Sequence, residues 1–276
     1  MSASAGIDLG SVQKTLLLPL WGRAVESRKA RPLLVDPIAV RAVHTMHYDF
    51  STIAGNIHPV TRAAWIARSL HADAALGAFL REHPSATVVN LGCGLDTTFA
   101  RVDNGKVTWY DLDLPDVIEL RRHYIPESPR AQCISCSLFS NDWLAKVRDT
   151  DALFILCMGV LYYFEESLVR GFLTTLANEF PGCEMLFDVC SPRGMRVANR
   201  KVIEASGMDQ NAMLHWGIEH PKTLEEWDPR ITVLHEYPLF RGLRCAFGAR
   251  MTAGLFISDA LRIMSMVHLR FASERG

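Results

Sequence analysis

Thr87-Val88-Val89-Asn90-Leu91-Gly92-Cys93-Gly94 is the stretch that most constrains the fold of this chain. Its β-branched, apolar start has the pattern of a buried strand, and it stops at two glycines one residue apart. A helical pattern follows through Phe99, Ala100 and Val102. Strand, glycine turn and helix make the nucleotide-binding corner of a doubly wound α/β sheet. There a glycine lets a ligand approach the backbone, and the helix start presents free N–H groups. Gly-x-Gly also serves ordinary tight turns, and the third glycine of the dinucleotide fingerprint is missing. A second extended run, Lys106 to Pro115, ends in acid. Asp113 lies about 20 residues beyond the glycines, where an acidic side chain meets ribose hydroxyls in this architecture. The structural alternative is that Asp111 and Asp113 cap the next helix, with Pro115 in its first turn.

At these residues the chain resembles a known family. Asn-Leu-Gly-Cys-Gly-Leu-Asp-Thr-Thr from Asn90, and Trp-Tyr-Asp-Leu-Asp-Leu-Pro from Trp109, are similar to the leucine carboxyl methyltransferase superfamily. Within it they resemble the bacterial O-methyltransferases of the tetracenomycin polyketide type. The resemblance implies a class I fold that uses S-adenosylmethionine (SAM): a Rossmann-like, mostly parallel, seven-stranded sheet with extra N-terminal helices and a helical cover inserted after the fifth strand. It runs from about Val12 to the last strand, specific in the central motifs and a match of layout in the C-terminal half. Implied cofactor contacts are Arg68, Gly92, Gly94, Asp96, Asp113, Leu114, Ser137, Leu138 and Met158. Arg68 matches an arginine that meets the carboxylate end of SAM, a task suited to a bidentate guanidinium. The chain departs from the family at two places. Ser137 and Leu138 stand where an aspartate usually lies near the adenine amino group, and Met158 stands where a glutamate often meets the cofactor.

Length and composition suit one large α/β domain: 276 residues, 49% hydrophobic, with no Gly/Ser-rich or charged linker. The expected division is N-terminal helices over 1–84, a cofactor-binding core over 85–191, a cover over 192–229 and completion of the sheet over 230–276. A net charge of −1 without a basic block gives no reason to expect nucleic acid. The longest apolar run, Ala152 to Phe164, is too short to span a bilayer, and the N-terminus lacks a signal-peptide pattern, so a cytoplasmic protein without a membrane partner is expected. Oligomeric state is not legible. The seven cysteines read as reduced thiols. Cys133-x-x-Cys136 lacks a second pair and His44-x-x-His47 lacks the zincin glutamate, so no metal is expected.

Helices are expected over Val12 to Ala30 (Pro19 ending or kinking a turn), Asp36 to Met46, Val60 to Arg81 (broken or shifted near its middle), Asp116 to Tyr124 and Glu165 to Glu179. The later strands are expected over Gln132 to Ser135, Asp151 to Phe164 (a strand running into a turn), Met185 to Cys190, Ile231 to Tyr237 and Met264 to Phe271, the last two pairing antiparallel. Residues 195–229 break the strand–helix rhythm and hold Met195, Met208, Met213, His215, Trp216 and Trp227. That content suits an adaptable apolar cover over an acceptor, or else the packing of extra helices. Candidate substrate contacts are Arg193, His215 and Arg241, with Arg244 and Arg250 as further anchors or plain surface charges.

The function expected is SAM-dependent O-methylation of a carboxylate or hydroxyl on a small, polyketide-like or aromatic acceptor. A carboxylate is ionised at neutral pH and requires no base, whereas a phenol gains from one such as His215 or His58. Methylation of a protein C-terminal carboxyl, and SAM binding without catalysis, are the alternatives. A nicotinamide-dependent dehydrogenase shares the sheet but needs the missing glycine.

Overall fold

The computed structural model describes residues 16–46, 48–50, 57–147, 150–200 and 213–272. Strands β1 (Thr87–Leu91), β2 (Thr108–Asp113), β3 (Ala131–Ser135), β4 (Leu153–Cys157), β5 (Glu184–Cys190), β6 (Ile231–Pro238) and β7 (Met264–Phe271) form one sheet. Its order is β3-β2-β1-β4-β5-β7-β6. Neighbours from β3 to β5 run parallel, while β7 runs antiparallel to both β5 and β6. β1 and β4 are buried at every residue, as the continuous apolarity of central parallel strands requires.

The described helices are α1 (Leu17–Ser27), α2 (Pro37–Thr45), α3 (Pro59–Glu82), α4 (Thr98–Val102), α5 (Pro115–Tyr124), α6 (Asp142–Val147), α7 (Glu166–Glu179), α8 (Pro192–Ala198) and α9 (Ala249–Ala260). Leu144 of α6 with Val169 and Leu173 of α7 pack on one face of the sheet, against Val89, Ile155 and Phe187. Ala67 and Leu76 of α3 with Leu255 of α9 pack on the other, against Val88, Phe154 and Leu186. α1 and α2 form a smaller core of their own with Leu95 and Leu120.

Several expectations need correction. α3 is unbroken over 24 residues. It is gripped on two sides, by the sheet through Ala67 and Leu76 and by α1 through Trp65, so its apolar residues do not follow a single stripe. α4 is a five-residue turn. Pro19 sits in the first turn of α1 without ending it, where its missing N–H has no intrahelical partner to lose. Asp36 does cap α2, its Oδ1 accepting from the Ala39 N–H at 2.9 Å. Val12, His47 and Met208 lie outside the described residues.

Candidate donor and acceptor sites

β1 lies between β2 and β4, so successive connections leave it in opposite directions and open a crevice at the carboxyl ends of the strands. The glycine loop lines that crevice. Gly92 has φ +61°, and a Cβ there would lie 2.4 Å from Val160 Cγ2 in the turn after β4. Gly94 has φ +47°, with Leu16 Cβ 3.2 Å from the position of a side chain. Both glycines are therefore demanded by backbone conformation and by protein neighbours, in addition to any ligand.

Asp113 and Asp111 have separate tasks. The Asp113 carboxylate, partly exposed at the end of β2, accepts from Gly94 N–H and Leu114 N–H at 2.8 Å each. Burial pushes its pKa up, and those two bonds oppose the shift. Asp111 is buried and meets Arg121 Nη2 at 2.6 Å, while Trp109 Nε1 and Asn90 Nδ2 donate to its other oxygen. Burial alone lowers the Arg121 pKa, but the Asp111 carboxylate overturns this and holds it up. Neither aspartate caps α5, whose N-cap is Leu114 without a side-chain bond. Asp96 turns into its own loop, accepting from Asn90 Nδ2, Thr98 N–H and Thr98 Oγ1. Against the pull of burial, Arg23 and Arg101 keep its pKa low.

Around the far lip, Leu114 is exposed beside Asp113, and Leu138 is buried with its carbonyl accepting from Trp143 Nε1 at 3.0 Å. Ser137 is exposed, and its Oγ accepts from Phe139 N–H at 3.2 Å. Met158 packs against the α3–α9 side of the core.

Arg68 reaches the opposite end of the crevice from α3. Its Nε lies 2.8 Å from Asp188 Oδ2, and its Nη2 donates to Tyr162 Oη at 3.1 Å. The other Asp188 oxygen accepts from Gly159 N–H at 2.6 Å. Gly159 has φ +78°, and the space a side chain would fill there is bordered by Tyr162 Oη at 3.3 Å and Arg68 Nη1 at 3.6 Å. Burial lowers the Arg68 pKa, and Asp188 reverses that, so the guanidinium stays charged. The sequence reading missed Asp188 and Tyr162. The available signal was an aspartate inside the apolar run Met185–Cys190, since a buried carboxylate requires a partner.

Beyond Arg68, Tyr162, Cys190 and Leu214 form an apolar cluster with Met195, Met213 and Met264. Asn199 holds the backbone of Leu214 through both ends of its amide, and His215 N–H donates to Tyr162 O at 2.8 Å. Arg193, Arg241 and Arg250 are exposed. His215 is exposed too, its Nδ1 3.4 Å from Glu165 Oε1. Arg244 is held by Asp259 at 2.7 Å, and Phe240 N–H occupies the other Asp259 oxygen, so it serves the fold as a tie between the segment after β6 and α9. His58 caps α3 through Nδ1. All seven cysteines are free. Burial raises the Cys93 and Cys157 thiols well above their usual range, which suits packing groups.

The leucine carboxyl methyltransferase family model matches residues 17–177, from α1 to α7 and including the glycine loop, Asp113 and the turn after β4. The chain belongs to the leucine carboxyl methyltransferase family. It is accordingly a SAM-dependent methyltransferase. Within the family it is 33% identical over 235 residues to the tetracenomycin polyketide synthesis O-methyltransferase TcmP of Streptomyces glaucescens, covering 84% of this chain and 85% of that one. It is 25% identical over 256 residues to the S-adenosyl-L-methionine-dependent methyltransferase dpfgK of Gibberella zeae, with 84% and 85% covered. Among solved structures, a putative methyltransferase from Thermobifida fusca superposes with a TM-score of 0.57 at 16% identity, covering 91% of this chain and 94% of that one. That likeness is one of fold.

Proposed function

We propose that this family member methylates an oxygen of a small, largely apolar, aromatic or polyketide-like acceptor, and that donor and acceptor meet at Gly159. The observation that carries the reading is the Arg68–Asp188–Tyr162 group. Tyr162 joins this group to the cluster of Met195, Met213 and Met264, and Val160, two residues before it, lies against Gly92 of the glycine loop. On the donor side Asp113 would hold the ribose hydroxyls and Gly94 would admit the ligand to the backbone. Leu114, Ser137 and Leu138 would flank the base, with Met158 behind it and Asp96 keeping the loop in shape. Arg68 would take the carboxylate through the Nη1 edge that faces Gly159. When bound, SAM supplies a methyl group on a sulfonium. That methyl group would pass to the acceptor oxygen with S-adenosylhomocysteine as the leaving group, and the protein's tasks would be alignment and the exclusion of water.

The described residues among 192–200 and 213–229 would contribute to the cover in this reading, with Arg193, His215 and Arg241 available to polar groups of the acceptor. No described helix is long and apolar enough to cross a membrane, and we place the enzyme in the cytoplasm, acting on a diffusible acceptor. The test supplies methyl-labelled SAM with a panel of aromatic acids, phenols and C-terminal peptides, with and without a chelator. Labelled methyl esters or ethers of the small acceptors, insensitive to chelation, are expected. Label confined to peptide carboxyls would replace the acceptor class, and labelled nitrogen or carbon products would overturn O-methylation.

A further inference from the structure

Three consecutive carbonyls of the glycine loop are held by two buried guanidiniums that reach it from two different helices. Arg121 of α5 donates through Nη1 to Gly94 O at 3.0 Å and Asp96 O at 2.6 Å. Arg23 of α1 donates through Nη2 to Leu95 O at 2.6 Å. Arg121 belongs to the sheet framework, since Asp111 of β2 holds it. Arg23 does not. Its Nε is fixed at 2.9 Å by Asp36, the residue that caps α2, and Asp36 also accepts from the Thr97 hydroxyl of the loop. Both members of that pair are almost wholly buried. Leu16, next to α1, lies against the open face of Gly94. One carboxylate thus ties α1, α2 and the loop together.

We infer that Arg23 is a positioning residue of the donor site, and that docking of α1 and α2 is coupled to occupation of that site. The inference rests on the reading that SAM binds at the glycine loop. Three carbonyls drawn inward by cations are prevented from turning towards the ligand, where they would repel its oxygens. Bonds to an ionised donor are strong enough to fix such a turn. Because Leu95 O is held from α1, a ligand that needs the loop in this shape also favours the docked helices, and reciprocity makes docking favour the ligand.

Two measurements test this. In the wild-type protein, S-adenosylhomocysteine should slow hydrogen exchange over residues 17–45 as well as over 92–98. Protection of the loop alone overturns the coupling; absence of binding overturns the donor-site reading itself. The second compares Arg23→Met with Arg23→Met/Asp36→Asn. The single variant leaves a buried carboxylate poorly compensated and should lose stability, while the double variant removes both charges and should regain it. S-adenosylhomocysteine should still bind the double variant about tenfold more weakly, as for one lost charge-assisted hydrogen bond, and the loss should fall on KM for SAM rather than on kcat. Recovery of affinity together with stability would make Arg23 merely structural and overturn the inference. Should neither variant fold, the exchange measurement on the wild-type protein decides.

Discussion

The two ends of the crevice are built from different materials. Around the glycine loop, Arg23, Asp36, Asn90, Asp96, Asp111 and Arg121 form a buried network in which each charge meets a partner within hydrogen-bonding distance. Beyond Gly159 the lining is Met195, Met213, Met264, Leu214 and Tyr162, and the nearby Arg193 and His215 stand in solvent. A polar network has few ways to satisfy every member and therefore imposes one geometry, whereas Met-rich surfaces repack around different shapes. The contrast fits the two tasks of the proposed function: the donor would be one molecule with fixed donors and acceptors, and the acceptor would be recognised mainly by shape.

The strongest way to break the contrast is to damage the rigid end at its tightest point. Gly92→Val adds a β-branched side chain at φ +61° with Val160 already 2.4 Å from the new Cβ. Strain and overpacking together should cost about 3–5 kcal/mol. Gly94→Ala, facing Leu16 at 3.2 Å, should cost about 1–2 kcal/mol. Denaturant unfolding of the two variants checks the order; an equal or larger loss at Gly94 would show that Val160 yields easily. Next in size is Asp188→Asn, which keeps the shape but leaves Arg68 without its countercharge. Removing one partner of a buried pair costs about 3 kcal/mol at the lower end, appropriate here because Arg68 retains Tyr162 and some solvent contact. A melting temperature close to that of the wild-type protein would place the pair's weight elsewhere.

The same contrast explains how much was legible in the sequence. β1, the glycine turn and the acidic end of β2 are continuous in the chain, and their chemistry is local, so Gly92, Gly94 and Asp113 could be read from spacing. Strands β6 and β7 were also legible, because apolar residues alternate with polar ones at Ile231 and Val233 in β6 and at Val267, Leu269 and Phe271 in β7. Asp188 and Tyr162 were not read, since their meaning comes from Arg68, 120 and 94 positions away in the chain. α3 was misjudged because two different neighbours bury two of its sides. A capping role for Asp111 stays open in the sequence, because the Arg121 that closes on it lies ten residues on.

A smaller effect, on binding rather than on folding, is expected at Asp113. Asp113→Asn should weaken SAM by about 1.5–3 kcal/mol, the worth of hydrogen bonds to a charged group. Calorimetry should also show a difference in pH dependence. Burial raises the Asp113 pKa, so its ionised form, the one that would accept from both ribose hydroxyls in the proposed donor site, is lost as pH falls through that raised value. Wild-type affinity should therefore decline on acidification over a range where the Asn variant stays flat. Parallel profiles would remove Asp113 from the donor site.

The smallest effect belongs to the loosely built end and sharpens the comparison most directly. Arg193 is exposed on α8, two positions before Met195 of the apolar cluster, whereas Arg241 lies in the turn after β6 at the sheet edge. Arg193→Ala should alter stability by no more than about 0.5 kcal/mol, as for a surface residue without structural partners. SAM affinity should not move, because the network around the glycine loop does not include it. If the acceptor carries a carboxylate, Arg193→Ala should raise its KM about fivefold, the scale of a solvent-screened ion pair near 1 kcal/mol. Added salt should shrink the difference between wild-type and variant. Arg241→Ala, farther along the edge, should change that KM less. A fall in SAM affinity in either variant would mean that donor and acceptor ends share residues, and the division drawn between a rigid and an adaptable end would fail at that point.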